Sequence, residues 1–218
     1  MEEPIAVRDG QIVLRGTLGM PAQPVGVVLF AHGSGSGRLS PRNRFVAERL
    51  QQGGIATLLI DLLSEKEAEE RRNVFDIELL ADRLLMAGTW LAKEPRTSHL
   101  PLGYFGASTG AGAALEAAAR RPASVQAVVS RGGRPDLAER SLPDVAAPTL
   151  LLVGGRDEPV IEMNRAAYRL LRCPKELVII PGATHLFEEP GTLEAVSDRA
   201  MEWFRRHFTA ARQGGRHS

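Results

Sequence analysis

The sequence predicts an α/β protein, a three-layer α/β/α sandwich built on one mostly parallel sheet of about eight strands, with no lid domain. Two observations carry this prediction. Short apolar runs rich in β-branched residues alternate with segments of helical periodicity, and the loops between them are short. Several of the runs are apolar throughout, which is typical of strands covered by helices on both faces. Because strands and helices alternate, right-handed crossovers should place neighbouring strands in parallel.

The strands are predicted where an apolar run ends at glycine, proline or polar residues. A hairpin with Asp9-Gly10 as its turn opens the chain, and the charged residues 64–76 are expected to form a solvated loop or surface helix turn. The predicted strands are residues 5–7, 12–19, 25–31, 55–63, the run from 102 up to Ser108, 125–130, 148–154 and 176–180.

Amphipathic or alanine-rich segments predict the helices. Residues 131–147 leave little room for a lid between two strands. Residues 1–211 are therefore expected to form a single domain, followed by a disordered basic tail at 212–218. The predicted helices are residues 41–52, 77–93, 111–121, 163–172 and 192–208.

Composition narrows the classes of partner and the cellular location that the sequence allows. The 218 residues are 44% hydrophobic and 24% charged, which fits one sizeable core. With 27 basic and 26 acidic residues the net charge is +1, too small to favour nucleic acid or a membrane, so a small-molecule partner is expected. We expect a cytoplasmic protein without a transmembrane segment. The chain has the single Cys173 and no basic and apolar leader, and its apolar runs are far shorter than the about 20 residues that span a bilayer. No metal site is expected, and the oligomeric state stays open between monomer and homodimer.

The motif that carries the chemistry is Gly106-Ala107-Ser108-Thr109-Gly110, placed between a predicted strand and an alanine-rich helix. Small flanking residues allow a sharp, strained turn that exposes the serine hydroxyl at the top of a sheet. Ser108 is therefore the candidate nucleophile. A Gly-x-Ser-x-Gly pattern alone is weak evidence for a nucleophile, so the rest of the sequence has to decide whether Ser108 is catalytic.

An acid and a histidine follow later strands in the order that accompanies such a serine. Asp157 follows the strand at 148–154, and His185 follows the strand at 176–180. A serine hydroxyl needs a base to remove its proton, and the imidazolium that forms needs a carboxylate on its other nitrogen. We therefore predict a triad of Ser108, His185 and Asp157, with Glu158 as the alternative acid. An acid at this position is also an ordinary helix N-cap.

The tetrahedral intermediate needs donors aimed at its oxyanion. The backbone N–H of Thr109, at the start of the helix, is one candidate. The loop His32-Gly33-Ser34-Gly35 follows another strand and offers the second donor, for which Ser34 is favoured. His32 itself is expected to pack in this loop and to serve structure.

Four motifs together resemble the α/β-hydrolase superfamily and, within it, the dienelactone hydrolase-like branch. They are His32-Gly33-Ser34-Gly35, Gly106-Ala107-Ser108-Thr109-Gly110, Gly155-Arg156-Asp157-Glu158-Pro159 and Gly182-Ala183-Thr184-His185, within residues 25–208. The chain departs from dienelactone hydrolases at the elbow, where they carry cysteine and this chain has Ser108. Members with serine there resemble esterases, thioesterases and acylpeptide-type hydrolases, which implies that no cofactor is needed.

The expected function is cleavage of small carboxylic esters, lactones or thioesters through an acyl-enzyme, with water as the final acceptor. Two alternatives stay open: an acyltransferase or small amidase on the same triad, and a catalytically silent binding protein that keeps the fold. Arg131, directly after a strand, and Arg42, after the glycine-rich loop, are candidates to bind a substrate carboxylate. Surface salt bridging is the alternative role for both arginines. The glycine-rich loop lacks the lysine that a phosphate cradle requires, which argues against a nucleotide there.

Overall fold

The computed structural model describes the backbone of residues 1–214 and the side chains of residues 1–211. Eight strands form one sheet in the order β1-β2-β4-β3-β5-β6-β7-β8. The first two strands pair antiparallel, β2 pairs antiparallel with β4, and every later pairing is parallel. The strands are β1 Glu2–Asp9, β2 Ile12–Gly19, β3 Val27–Ala31, β4 Ala56–Ile60, β5 Leu102–Ala107, β6 Ala127–Arg131, β7 Thr149–Gly154 and β8 Lys175–Ile180.

Helices cover both faces of the sheet, as predicted. One buried cluster lies between the sheet and α1 with α7, and the other lies between the sheet and α4, α5 and α6. Strands β3, β4, β6 and β7 are buried along their whole length, which explains why their sequences are mainly apolar. The helices are α1 Pro41–Gln52, α2 Glu65–Glu69, α3 Arg71–Val74, α4 Ile77–Leu91, α5 Thr109–Arg120, α6 Glu158–Leu170 and α7 Thr192–Gly214, and a 3₁₀ segment spans Pro135–Asp144.

Several element boundaries differ from the predicted ones. The opening turn is formed by Gly10 and Gln11, since Asp9 still pairs with Ile12. The predicted strand at 55–63 ends at Ile60, and the charged residues 64–76 contain two short helices, of which the first begins in a capping box made by Ser64 and Glu67.

The helix predicted from residue 163 begins at Glu158 instead. Its buried face includes the polar Asn164, whose side chain amide donates to the carbonyl oxygens of Val160 and Gly133. The missed first turn contains Pro159, which a helix tolerates at its start but which a sequence pattern treats as a break.

The closing helix α7 continues to Gly214. Residues 212–214 are therefore helical, where the sequence predicts a disordered tail, and residues 215–218 lie outside the described residues. Within residues 1–214, no helix combines the length and the apolar character that crossing a bilayer demands.

Candidate active site

Ser108 occupies a sharp turn between β5 and α5. Its backbone has φ +52° and ψ −123°, a conformation that a residue with a side chain rarely adopts and that persists only where the surroundings enforce it. The flanking glycines make the turn possible. A Cβ on Gly106 would lie 2.4 Å from Ala111 Cα, and one on Gly110 would lie 2.2 Å from the carbonyl oxygen of Ala31. The elbow motif is thus required by close backbone approach on both sides of the serine.

Main-chain hydrogen bonds fix the elbow to the end of the neighbouring strand β6. The N–H of Ser108 donates to the carbonyl oxygen of Arg131 at 3.2 Å. The carbonyl oxygen of Ser108 accepts the N–H of Arg134 at 3.0 Å and that of Ala111 at 3.1 Å. The backbone N–H and carbonyl of the strained residue are therefore both hydrogen-bonded, so the side chain of Ser108 is not needed to satisfy them.

Asp157 and His185 are in direct contact. Nδ1 of His185 lies 2.6 Å from Oδ2 of Asp157, and the aspartate side chain is only 14% exposed. Asp157 occupies the N-cap position of α6 but makes no side-chain capping hydrogen bond there. The carboxylate is thus committed to the imidazole rather than to the helix, and Nε2 of His185 is left for a second partner.

The loop that carries His185 is fixed by the buried ring of Phe187 and by the carboxylate of Glu189. Phe187 has φ +54° and buries its ring in the core cluster beneath α7. The Thr184 N–H donates to Oε2 of Glu189 at 3.1 Å, and hydrogen bonds from Thr184 lower the pKa of that glutamate. Sequence reasoning missed both residues. A glutamate four positions after the histidine is the only signal that was available.

The imidazole lies over the end of β6, next to the strand that leads into Ser108. A Cβ on Gly132 would be 3.6 Å from Cε1 of His185, and Gly132 directly follows the residue whose carbonyl binds the Ser108 N–H. Among the described residues no hydrogen bond joins Ser108 Oγ to His185. The structure therefore brings the acid and the base into contact, and the link from His185 to Ser108 stays a prediction.

The predicted oxyanion loop lies against the elbow. A Cβ on Gly33 would be 2.9 Å from Ser108 Cβ. Thr109 is the first residue of α5, so its N–H belongs to the unpaired first turn of that helix. The N–H of Ser34, however, donates to Thr109 Oγ1 at 2.9 Å. The Ser34 N–H is therefore bound to a threonine hydroxyl in this structure, and its role as an oxyanion donor stays a prediction.

His32 has the structural role that its position predicted. It is 9% exposed, its Nε2 accepts the N–H of Leu62 at 3.0 Å, and its Nδ1 lies 3.0 Å from the carbonyl oxygen of Gly33. Burial lowers the pKa of His32. The ring thus ties the oxyanion loop to the end of β4. A cavity of about 780 Å³ opens beside this loop, between His32, Gly35 and Asp61.

The two candidate arginines lie at the same edge of the sheet as the predicted triad residues. Arg131 is the last residue of β6 and is 8% exposed, so it is not the surface salt bridge that was its alternative role. Arg42 lies in the first turn of α1 and pairs with Glu188 at 3.3 Å. Among residues 1–211, no group of three or more His, Cys, Asp or Glu side chains is arranged to hold a metal ion.

Comparison with known proteins gives a consistent family. Residues 14–210 match the model of the dienelactone hydrolase family. A solved structure of a dienelactone hydrolase from Anabaena variabilis is 60% identical, with a TM-score of 0.92 over 95% of this chain and 98% of that one. Est1E from Butyrivibrio proteoclasticus has a TM-score of 0.81 over 94% of this chain and 99% of its own, at 18% identity, which shows likeness of fold alone.

Two proteins from strains of Mycobacterium tuberculosis, both named as candidate phosphoribosyl transferases, are 58% identical over 207 residues. The match covers 95% of this chain and 47% of each relative. The chain therefore spans about half the length of these curated relatives.

Proposed function

This chain belongs to the dienelactone hydrolase family and has the α/β-hydrolase fold, and from that premise we propose that it is a serine hydrolase. Its substrates are small carboxylic esters, lactones or thioesters, and its intermediate is an acyl-enzyme on Ser108. The proposal rests on the 2.6 Å contact between His185 Nδ1 and Asp157 Oδ2, at the edge of the sheet where Ser108 occupies its strained turn.

In the first half-reaction Ser108 Oγ attacks the carbonyl carbon while Nε2 of His185 accepts the hydroxyl proton. Asp157 stabilises the imidazolium through Nδ1, and the Thr109 N–H stabilises the oxyanion. When the intermediate collapses, the bond to the leaving group breaks and the leaving group takes the proton from His185. The acyl group is then an ester of Ser108.

Water completes the cycle by the same route. It attacks the acyl-enzyme, gives its proton to His185, and forms a second oxyanion. Collapse releases the carboxylic acid, and the proton returns to Ser108 Oγ. The cycle uses the protein's own acid, base and nucleophile, and it converts one ester and one water into a carboxylic acid and the protonated leaving group.

A serine at the elbow depends strongly on its base. Dienelactone hydrolases carry a cysteine there, and a thiol is a far better nucleophile at neutral pH than a hydroxyl. The direct contact of His185 with Asp157 supports serine chemistry because it prepares the base that a hydroxyl requires. The name of the Mycobacterium relatives describes proteins about twice as long as the matched segment, and we assign the hydrolase to this segment.

An open site and short acyl groups are part of the proposal. The segment after β6 forms the 3₁₀ run Pro135–Asp144, which packs against α5 with Ala138 and Leu142 buried. This segment is thus part of the body of the domain rather than a cover for the site. We expect p-nitrophenyl acetate and butyrate to be hydrolysed in preference to the palmitate ester.

Covalent labelling tests the chemistry directly. A fluorophosphonate probe should label the native protein, and Ser108→Ala should abolish the label while Ser124→Ala, at an exposed turn, should retain it. Asp157→Asn should lower kcat for p-nitrophenyl acetate by up to about 10⁴-fold, because the histidine loses the carboxylate that orients it. A folded native protein that takes no label and cleaves no short ester would leave a catalytically silent protein as the better description.

A further inference from the structure

A cavity of about 600 Å³ lies at the edge of the sheet opposite to the proposed catalytic residues. It opens where the parallel strands begin, since Val27 and Leu102, the first residues of β3 and β5, line it. The six residues of β5 separate Leu102 from Ser108, a length of about 20 Å at the rise of a strand. The cavity has the size of a small-molecule site, and the proposed catalytic cycle does not use it.

Tyr104 presents a hydroxyl without a partner to this cavity. The residue is only 1% exposed, and among the described residues its hydroxyl has no hydrogen-bond partner. Burial raises the pKa of Tyr104 to about 12, against the opposing effect of the Arg121 charge, so the hydroxyl keeps its proton at neutral pH. A buried donor without an acceptor costs free energy, which an oxygen atom of a ligand would recover.

Basic side chains surround the mouth of the cavity, and no acidic side chain accompanies them. Lys93 and Arg121 line it, and within residues 1–211 none of the lining residues is an aspartate or a glutamate. Neither cation forms a salt bridge in that part of the chain. Arg121 makes one side-chain hydrogen bond, a 3.5 Å contact from Nη1 to Thr89 Oγ1. The mouth of the cavity therefore carries positive charge that no carboxylate of the described residues neutralises.

The wall behind these polar groups is mainly apolar. Leu91 and Leu100 line it and belong to the buried cluster on this face of the sheet. Gly88, in α4, leaves room within the cavity, because a Cβ there would lie 3.4 Å from the Tyr104 hydroxyl with no atom closer. An apolar wall with a few polar groups at one place is the usual composition of a site for a small amphipathic molecule.

We propose that this cavity binds a small amphipathic carboxylate, a molecule with one carboxylate group and an apolar body. The carboxylate accepts hydrogen bonds from the Tyr104 hydroxyl and the Arg121 guanidinium, and Lys93 adds to the attraction. The apolar body lies against Leu91 and Leu100. A neutral alcohol would leave the positive charge unpaired, and an amphipathic cation would be repelled. The site is separate from Ser108, so it does not depend on the proposed hydrolase function.

Isothermal titration calorimetry with three eight-carbon molecules tests the ligand class. Octanoate, 1-octanol and octylammonium share an apolar chain and differ in the charge of the head group. We expect one octanoate to bind per chain, about 10-fold more tightly than octanol, because hydrogen bonds to a charged acceptor are stronger than neutral ones. Octylammonium should bind more weakly than octanol. Equal affinities for octanoate and octanol would overturn the proposal.

Replacing one arginine tests the positive charge, and its neighbour in the sequence supplies the control. Arg121→Met should weaken octanoate binding by about 10-fold and leave octanol binding unchanged. Arg120 pairs with Asp82 at 2.6 Å and does not line the cavity, so Arg120→Met should retain the native affinity for octanoate. An equal loss in both variants would mean that octanoate responds to surface charge in general, and the proposed site would be wrong.

Two further variants test the cavity itself. Tyr104→Phe keeps the ring and removes the hydroxyl, so octanoate binding should weaken by about 3-fold, the effect of one neutral hydrogen bond. Gly88→Leu extends a side chain into the cavity and should abolish binding of octanoate and octanol alike. Circular dichroism confirms that each variant is folded, and Tyr104→Phe keeps the test valid if Gly88→Leu does not fold.

The same variants separate this proposal from the hydrolase. Octanoate is also the acid that an octanoyl ester would release, so it has to be shown that it binds in the cavity rather than beside Ser108. If Gly88→Leu and Arg121→Met bind octanoate like the native protein, the cavity proposal is wrong and the hydrolase is unaffected. If both variants lose octanoate while Ser108 of the native protein takes no fluorophosphonate label, the cavity site stands and the hydrolase is wrong.

Discussion

Protonation of His32 should destabilise the protein, and the expected size follows from its contacts. Nε2 accepts the Leu62 N–H at 3.0 Å, so Nδ1 carries the ring proton and donates to the carbonyl oxygen of Gly33. A second proton would have to sit on Nε2, where it would face the Leu62 N–H. The folded state therefore admits the charged imidazole only by breaking that bond in a buried setting.

The sign of the effect comes from comparing the folded and unfolded states. Burial lowers the pKa of His32 in the folded state, while the Gly33 carbonyl and the Asp61 carboxylate oppose the shift. The unfolded chain has the ordinary histidine pKa of about 6.5. Between the two pKa values the unfolded state binds more protons, so the free energy of unfolding falls as the pH falls below about 6.5 and is fully recovered above it.

Linkage sets the magnitude. One histidine contributes a slope of at most about 1.4 kcal/mol per pH unit. Lowering the pH from 7.5 to 5.5 therefore removes at most about 1.4 kcal/mol through His32, the limit reached when the folded state stays unprotonated. This window lies above the range in which carboxyl groups titrate, which keeps their contribution small.

Urea unfolding followed by circular dichroism at pH 7.5, 6.5 and 5.5 measures this contribution. The native protein should lose about 1 kcal/mol more than His32→Gln over the window, because glutamine can accept the Leu62 hydrogen bond without titrating. The exposed His99 supplies the comparison variant His99→Gln, which should retain the pH dependence. Equal slopes for the native protein and His32→Gln would refute the argument that His32 stays neutral.

Two further predictions concern the elbow, and a third, at a glycine in α4, serves as their comparison. Thr109→Val should lower the free energy of unfolding, measured in urea, by about 1 kcal/mol, because the Ser34 N–H loses its acceptor. Thr109→Ser keeps the hydroxyl and should lose less stability. Equal stability of the two variants would contradict this role of the hydroxyl. Gly110→Ala should cost about 3 kcal/mol or prevent folding, because its Cβ would lie 2.2 Å from a backbone oxygen of Ala31. Gly88 lies in the interior of α4, where an added Cβ would have no neighbouring atom closer than 3.4 Å, so Gly88→Ala should stabilise the protein by about 0.5–1 kcal/mol. A stable Gly110→Ala variant would show that the elbow can widen.

The fold was predictable because its signals are local. Continuous apolar runs identify central strands, and their alternation with helices implies a parallel sheet whose strand ends share one edge. That geometry is why three residues far apart in sequence, Ser108, Asp157 and His185, could be predicted to lie together. The Asp157 contact with His185 is observed, and the link from His185 to Ser108 stays a prediction.

What the sequence could not predict depends on contacts between loops. Ser34 and Thr109 are 75 positions apart, and no pattern indicates that the threonine hydroxyl would accept the Ser34 N–H. The positive φ of Phe187 is likewise invisible, because a phenylalanine carries no preference for that conformation. The same holds for Arg131, whose Nε and Nη1 are buried without a hydrogen-bond partner among the described residues, since an arginine is ordinarily exposed or paired.

The occupied Ser34 donor changes how the proposed site has to work. The acid–base pair exists before any substrate arrives, but the Ser34 N–H is held by Thr109 Oγ1. An oxyanion is a stronger acceptor than a neutral hydroxyl, and only the tetrahedral intermediate carries one. The donor should therefore transfer from the hydroxyl to the oxyanion as charge develops. An interaction that forms only at that stage raises kcat without tightening substrate binding. The hydroxyl would thus keep the loop in place in the resting protein and release its donor when the charge appears.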